Sequence, residues 1–206
     1  MLYKSEFKEL DSVPFPDTTG ERVYMEPFLQ REGLPPQLMH WQRTVDAMLG
    51  AYQTSMPIYL MIDQSDVKEG EAHRRPGVHI DGYWNPAVEA HSNGPGHGAQ
   101  PAPVHTPRPT HSCGSGSWAA ADFAELEAVI LASSMEGAVG YLGEYAGPIG
   151  DMGDCSHLDT SQMDKFLMRA GRAYGGNITG LHESVPVKQN GHRTLVRLNV
   201  PKLSLN

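Results

Sequence analysis

Between residues 36 and 52 apolar positions recur three and four apart, at Leu38, Trp41, Val45, Met48 and Leu49, with polar or charged residues between them. That spacing lays them along one stripe of a 3.6-residue repeat, and an amphipathic helix is predicted. The pattern then shortens. Residues 56–62 form a nearly continuous apolar run that predicts a buried strand, followed by a polar turn at Lys68-Glu69-Gly70-Glu71 and an extended piece at Gly77-Val78-His79-Ile80-Asp81. Residues 128–133 and 137–145 read as two more strands, the second in spite of its glycines. Residues 161–174 fit either a short helix or a strand, and Met163, Phe166 and Met168 within them are assigned to the core. Residues 177–187 and 193–200 are predicted as strands joined at Lys188-Gln189-Asn190-Gly191, since Asn-Gly between two apolar runs is the usual mark of a tight hairpin.

The final run divides its residues sharply between two faces. Thr194, Val196, Leu198 and Val200 point one way, and Arg193, Leu195, Arg197 and Asn199 the other. Two arginines on one inward face are costly unless an anion or a carboxylate meets them. The alternation therefore suggests a ligand-binding interior.

Residues 85–117 break the periodicity. They are rich in Gly, Pro, Ser and His, as in Gly94-Pro95-Gly96, Pro101-Ala102-Pro103 and Gly114-Ser115-Gly116, and cannot supply a packed core. A long loop inserted into the fold is expected there, serving as a lid or recognition loop. No internal repeat is present. The chain of 206 residues suits one domain, with residues 1–55 as an N-terminal helical support region and residues 56–201 as a mainly β core that carries the inserted loop.

Composition narrows the function classes. A net charge of −8 argues against broad electrostatic binding to nucleic acid, although a local basic groove stays open. Cys113 and Cys155 are the two cysteines, too few for a disulfide framework and unpaired in the manner of a zinc site. Neither a secretory leader nor a membrane-spanning run is evident, so a cytoplasmic protein is expected, with an unidentified substrate, no membrane and an open oligomeric state.

The candidate chemistry begins at His79-Ile80-Asp81. On a strand, residues two apart share a face, so an imidazole and a carboxylate can meet one ion. His182, about a hundred residues later, stands near the end of a predicted strand and can supply the third ligand. Two imidazoles and one carboxylate on one side of a metal are the arrangement suited to non-haem Fe(II), with the opposite positions open.

His79-x-Asp81, His182 and an arginine eleven residues further on, Arg193, resemble the motif order of the 2-oxoglutarate and Fe(II)-dependent oxygenases. The surroundings are similar too: Gly77-Val78-His79-Ile80-Asp81-Gly82-Tyr83-Trp84, and Gly180-Leu181-His182-Glu183-Ser184-Val185-Pro186-Val187 followed by Gly191-His192-Arg193, look like that superfamily's first and last core strands. The resemblance covers roughly residues 56–201 and implies a double-stranded β-helix of the jelly-roll or cupin-like kind. It also implies Fe(II) held by His79, Asp81 and His182, and 2-oxoglutarate held through its distal carboxylate by Arg193, with Arg197 a second candidate. A guanidinium suits that task because it meets a carboxylate through two parallel hydrogen bonds. The implied chemistry is oxidative decarboxylation of 2-oxoglutarate to succinate, coupled to hydroxylation of an unactivated C–H bond. Tyr59, Tyr83 and Asn177 are further candidates for the pocket.

Other groups have plainer readings. His91, His97, His105 and His111 share the inserted loop, but their spacing matches no compact zinc motif. Asp151, Asp154 and His157 fit a turn with capping carboxylates as well as a calcium loop. Cys155 belongs to no nucleophile motif. Two other functions keep the same residues: a cupin-like metal enzyme that does not use 2-oxoglutarate, and a non-catalytic jelly-roll binding or assembly protein such as a virion component.

Overall fold

The computed structural model describes residues 2–74, 76–81, 127–150 and 153–201. The inserted loop expected at 85–117 lies outside them, as do Tyr83, Asp151, Cys113 and the four histidines of that loop.

The described residues are mainly β, in two antiparallel sheets. The strands are β1 (Leu2–Ser5), β2 (Phe7–Ser12), β3 (Arg22–Phe28), β4 (Ile58–Val67), β5 (Glu127–Ser133), β6 (Ala138–Ala146), β7 (Asp164–Leu167), β8 (Arg172–Asn177), β9 (His182–Ser184) and β10 (Gly191–Pro201). The larger sheet has the order β2-β8-β5-β10-β4-β3. The smaller has β1-β6-β7, with β9 also paired to β6, and it is extended beyond β9 by the segment around His79.

The larger sheet is covered on both faces, and β4 and β10 are buried along most of their length, their polar residues included. On the outer face Ile58, Leu60 and Ile62 of β4, Val196, Leu198 and Val200 of β10, and Ala128, Ile130 and Ala132 of β5 form one core with Trp41, Val45, Met48 and Leu49. These last four lie on the predicted amphipathic segment, which begins as a 3-10 helix, Pro36–Trp41, and continues as α1, Gln42–Leu49. Pro36 opens it where no amide donor is needed, and Gly50 at φ 53° ends it. On the inner face Val129, Leu131 and Tyr174 pack with Met168, Phe166 and Ala138, which joins the two sheets. Met163 is likewise buried, so the core assignment of Met163, Phe166 and Met168 holds.

Four expectations need correction. The first 55 residues contain β1, β2 and β3 in addition to the helix, so the N-terminal region contributes strands to both sheets. Residues 161–174 divide into β7 and the start of β8, in different sheets, because Met168 turns inward and Gly171 at φ 70° reverses the chain. Residues 177–187 do not form one strand: a turn after Asn177 ends β8, and only His182–Ser184 is extended in ladder form.

The Asn190-Gly191 hairpin is likewise absent. β9 pairs with β6 in the smaller sheet, while β10 pairs with β4 and β5 in the larger. Asn190 instead accepts the Glu69 backbone N–H at 2.8 Å, pinning the β9–β10 crossover to the turn after β4. Its side chain supplies a tertiary contact in place of a two-residue turn.

Candidate metal centre and buried guanidinium

His79 reaches the site through a short backbone bridge. Its N–H donates to the His182 carbonyl at 2.9 Å, and the His182 N–H donates back to the His79 carbonyl at 3.0 Å. This is the close reciprocal pairing of antiparallel strands, and it sets the two imidazoles side by side with ring centroids 4.6 Å apart. The other edge of the segment is held by residues 153–155: the Ile80 N–H donates to Gly153 and the Cys155 N–H to Val78. Gly153 stands at φ 77°, and a Cβ there would lie 2.4 Å from the Ile80 carbonyl oxygen, so only glycine permits this approach.

Asp81 shares the face of His79 two residues on. Its Oδ2 lies 3.1 Å from His182 Nε2, and the ligand atoms of His79, Asp81 and His182 all fall within 4.8 Å of one another. Two ligands in neighbouring positions on a divalent ion at about 2.1 Å would stand about 3 Å apart, so the Asp81–His182 spacing is already that of a coordination edge.

The tautomers are fixed by the backbone. His79 Nδ1 donates to Gly77 O at 2.8 Å and His182 Nδ1 donates to Gly180 O at 3.0 Å, because a carbonyl can only accept. With Nδ1 so occupied, each ring has its Nε2 left as the nitrogen a metal ion could take. Orientation of a ligand imidazole through its other nitrogen is a common support of metal sites. Phe7 adds a steric brace. Its ring meets that of His182 edge-on at 6.1 Å and lies over Gly176 and Gly180, where any Cβ would collide with it.

The remaining carboxylate oxygen is taken by β10. Arg197 Nη1 lies 2.6 Å from Asp81 Oδ1. Burial pushes the Asp81 carboxyl up, but Arg197 and the His182 and His79 imidazoles outweigh it and hold it well below the ordinary range. Asp81 is therefore anionic, with Oδ1 engaged and Oδ2 aimed at the imidazoles.

Arg193 has a different environment four residues earlier on the same face. It is 1% exposed, and its Nε donates to Ser133 Oγ at 2.9 Å, while Nη1 has no hydrogen-bond partner among the described residues. Burial lowers its pKa to about 10, with Asp63 opposing that and Arg74 adding to it. At neutral pH it remains a cation. The nearby Asp63 is already engaged by Arg74 Nη1 at 2.6 Å, His73 at 3.4 Å and Arg22 at 3.5 Å. Gly137 packs directly against the guanidinium: a Cβ there would lie 2.8 Å from Nη1 and 3.0 Å from Cζ, so the close approach depends on glycine.

The five residues singled out from sequence thus occupy one side of the larger sheet and the facing segment of the smaller. Arg197 takes up Asp81, whereas Arg193 is left facing the interior. Asn177 is not in the interior; its side chain donates to Lys4 O and Thr179 Oγ1 and accepts from the Glu6 N–H, tying β1 and β2 to the end of β8. Tyr59 is buried next to Met25. Asp154 accepts the Ser156 N–H and bridges to His79, while exposed His157 donates to Pro148 O, consistent with a capped turn. Cys155 is fully buried with its thiol toward Gly153 O. Phe7, Ser133, Gly137 and Asp63 carry no motif of their own; their roles follow from pairings across the fold.

Compared with protein-family models, curated proteins and solved structures, the chain has no match in any of the three. No helix among the described residues is long and apolar enough to cross a membrane.

Proposed function

We propose that the protein is a non-haem Fe(II)- and 2-oxoglutarate-dependent oxygenase built on a double-stranded β-helix. The order of the strands supports the fold. From β4 onward the chain passes from the larger sheet to the smaller at His79, back at β5, over to β6 and β7, back at β8, over at β9 and back at β10. Such repeated crossing between two facing antiparallel sheets winds the chain as a flattened helix.

The observation that carries the function is the pairing of a convergent His79–Asp81–His182 group with a buried, anion-seeking Arg193 on the adjacent strand face. Two imidazole nitrogens and one carboxylate oxygen suit Fe(II) and leave room for further ligands. The buried guanidinium with its unmatched Nη1 suits a carboxylate. When bound, Fe(II) and 2-oxoglutarate would activate dioxygen for C–H hydroxylation: O2 is the oxidant, one of its oxygen atoms ending in succinate and the other in the hydroxylated product, with carbon dioxide released.

The chain's own residues bind and orient. His79 and His182 present Nε2 because Gly77 and Gly180 hold Nδ1–H. Arg197 keeps Asp81 ionised and occupies one of its oxygens, which favours monodentate binding through the other. Arg193 anchors the far end of an elongated dianion, and the apolar inner face of Val129 and Leu131 excludes water from the path between.

The test is anaerobic reconstitution with Fe(II), then oxygen, ascorbate and 1-¹⁴C-labelled 2-oxoglutarate. Release of labelled carbon dioxide that is lost in His182→Ala and reduced in Arg193→Leu supports the proposal. Iron binding without decarboxylation favours a cupin-like enzyme of another substrate, and the absence of metal binding favours a jelly-roll binding or assembly protein.

A further inference from the structure

The inward face of β10 carries a third polar group beyond the two arginines. Asn199 is 1% exposed, and neither its Oδ1 nor its Nδ2 has a hydrogen-bond partner among the described residues. Leaving both ends of an amide unmatched in a dry interior is unfavourable. Apolar residues fill the neighbouring positions Leu198 and Val200 without that cost.

Its place on the strand gives the group meaning. Arg193, Arg197 and Asn199 share one face, and residues two apart on a strand are about 6.6 Å apart. Arg197 holds Asp81, so the metal-ligand group lies between Arg193 and Asn199 along β10. Directly across from Asn199 stand Tyr59 on β4 and Val129 on β5, with Met25 packed on Tyr59. The amide is therefore framed by aromatic and apolar side chains, the usual make-up of a small-molecule site with a few orienting polar groups.

We infer that Asn199 is a specificity-determining residue that pairs with an amide edge of the oxidised substrate, on the side of the metal centre away from Arg193. An asparagine side chain offers one acceptor and one donor side by side. Its complement is a group with a donor and an acceptor on the same side: a primary carboxamide or a cyclic amide. A trans peptide bond points these groups in opposite directions. A carboxylate or ketone satisfies only Nδ2 and leaves Oδ1 dry. The inference rests on the oxygenase reading, because the metal centre divides the interior into an anion end and a substrate end.

The probe is benzamide, with benzoate and acetophenone as matched controls, titrated into ¹⁵N-labelled full-length protein carrying Zn(II) as a diamagnetic substitute for Fe(II). The Asn199 side-chain NH₂ signals are assigned by their loss in Asn199→Leu. Benzamide is expected to shift them saturably at concentrations up to about 10 mM, and both controls to bind at least about tenfold more weakly. Asn199→Leu and the near-isosteric Asn199→Asp should each lose benzamide binding by a similar factor, while still taking up one equivalent of Zn(II). Should the NH₂ signals stay still with benzamide, should acetophenone bind as well as benzamide, or should both variants bind benzamide like the wild type, the inference is overturned. A failure of the metal reading shows separately, as wild-type protein that takes up no Zn(II) at His79, Asp81 and His182.

Discussion

Arg197 Nη1 lies 2.6 Å from Asp81 Oδ1 while His182 Nε2 lies 3.1 Å from Asp81 Oδ2, so one carboxylate is divided between a guanidinium and the metal-ligand group. The division assigns each oxygen a role. Oδ1 neutralises a buried cation from β10, and Oδ2 is left for an ion shared with the imidazoles.

The first prediction concerns that pair in the metal-free protein. Asp81→Asn and Arg197→Met should each destabilise by about 3 kcal/mol, since either leaves a largely buried charge without its partner. The double variant should lose less than the sum by about 1–3 kcal/mol, measured by urea unfolding of all four proteins. Strict additivity would show that the two groups do not interact. In the single variant Arg197→Met, Mn(II) affinity should also fall about 10–100-fold, because Asp81 loses the contact that orients it.

A second prediction isolates the anion end. In Gly137→Ala the new methyl would stand 2.8 Å from Arg193 Nη1, so the guanidinium must shift from the position in which it would meet a carboxylate. Binding of 2-oxoglutarate to the Mn(II)-loaded protein should weaken at least about tenfold, measured by calorimetry, with Mn(II) affinity unchanged. Equal losses of both would place Arg193 at the metal instead.

The third concerns acid stability. Burial raises the Asp63 carboxyl, but hydrogen bonds and charge from His73 and Arg74 outweigh that and hold it well below the ordinary carboxylate range. Between the unfolded and folded values the unfolded chain binds more protons, so stability rises with pH there. Asp63's contribution is complete above about pH 5 and is lost as pH falls below about 4, through its depressed folded value. Glu9, drawn down to about 2 by Arg169, with Tyr174 and Arg172 also bonded to it, acts in the same direction. Asp63→Asn should therefore flatten the acid limb of the stability profile without abolishing it. An unchanged slope between pH 3 and 5, measured by urea titrations, would contradict the assignment.

Much of this was legible in the sequence because it depends on local periodicity. The helix stripe from Leu38 to Leu49, the β4 and β10 runs, and the two-residue spacing of His79 and Asp81 all follow from the pitch of a helix or strand. The two-faced reading of β10 was sufficient to bring Arg193 and Arg197 inward. What pairing across the fold decides was not legible. Asn190-Gly191 has hairpin chemistry, yet the chain crosses there between sheets because β10 finds both its partners, β4 and β5, in the larger one. The β1 and β2 strands are short and largely polar, and their stability comes from β6 and β8 rather than from their own pattern. Nor could spacing distinguish the two arginines; Asp81 does so by approaching one of them.

A fourth prediction tests the brace behind His182. Phe7 fills the space above Gly176 and Gly180 and meets the His182 ring edge-on. Phe7→Ala should destabilise by about 3 kcal/mol, the lower end for a large aromatic since Phe7 is only partly buried. Phe7→Leu should recover most of that. Mn(II) affinity should fall in Phe7→Ala and be largely restored in Phe7→Leu, measured by electron paramagnetic resonance titration. Affinity unmoved by either change would confine Phe7 to a packing role.

The most direct test of the metal centre is anomalous diffraction from crystals equilibrated anaerobically with Mn(II). The account predicts one strong peak at about 2.0–2.2 Å from His79 Nε2, Asp81 Oδ2 and His182 Nε2, with Arg197 still on Asp81 Oδ1. A peak elsewhere, or full loading of the protein with no density between these three side chains, would contradict it.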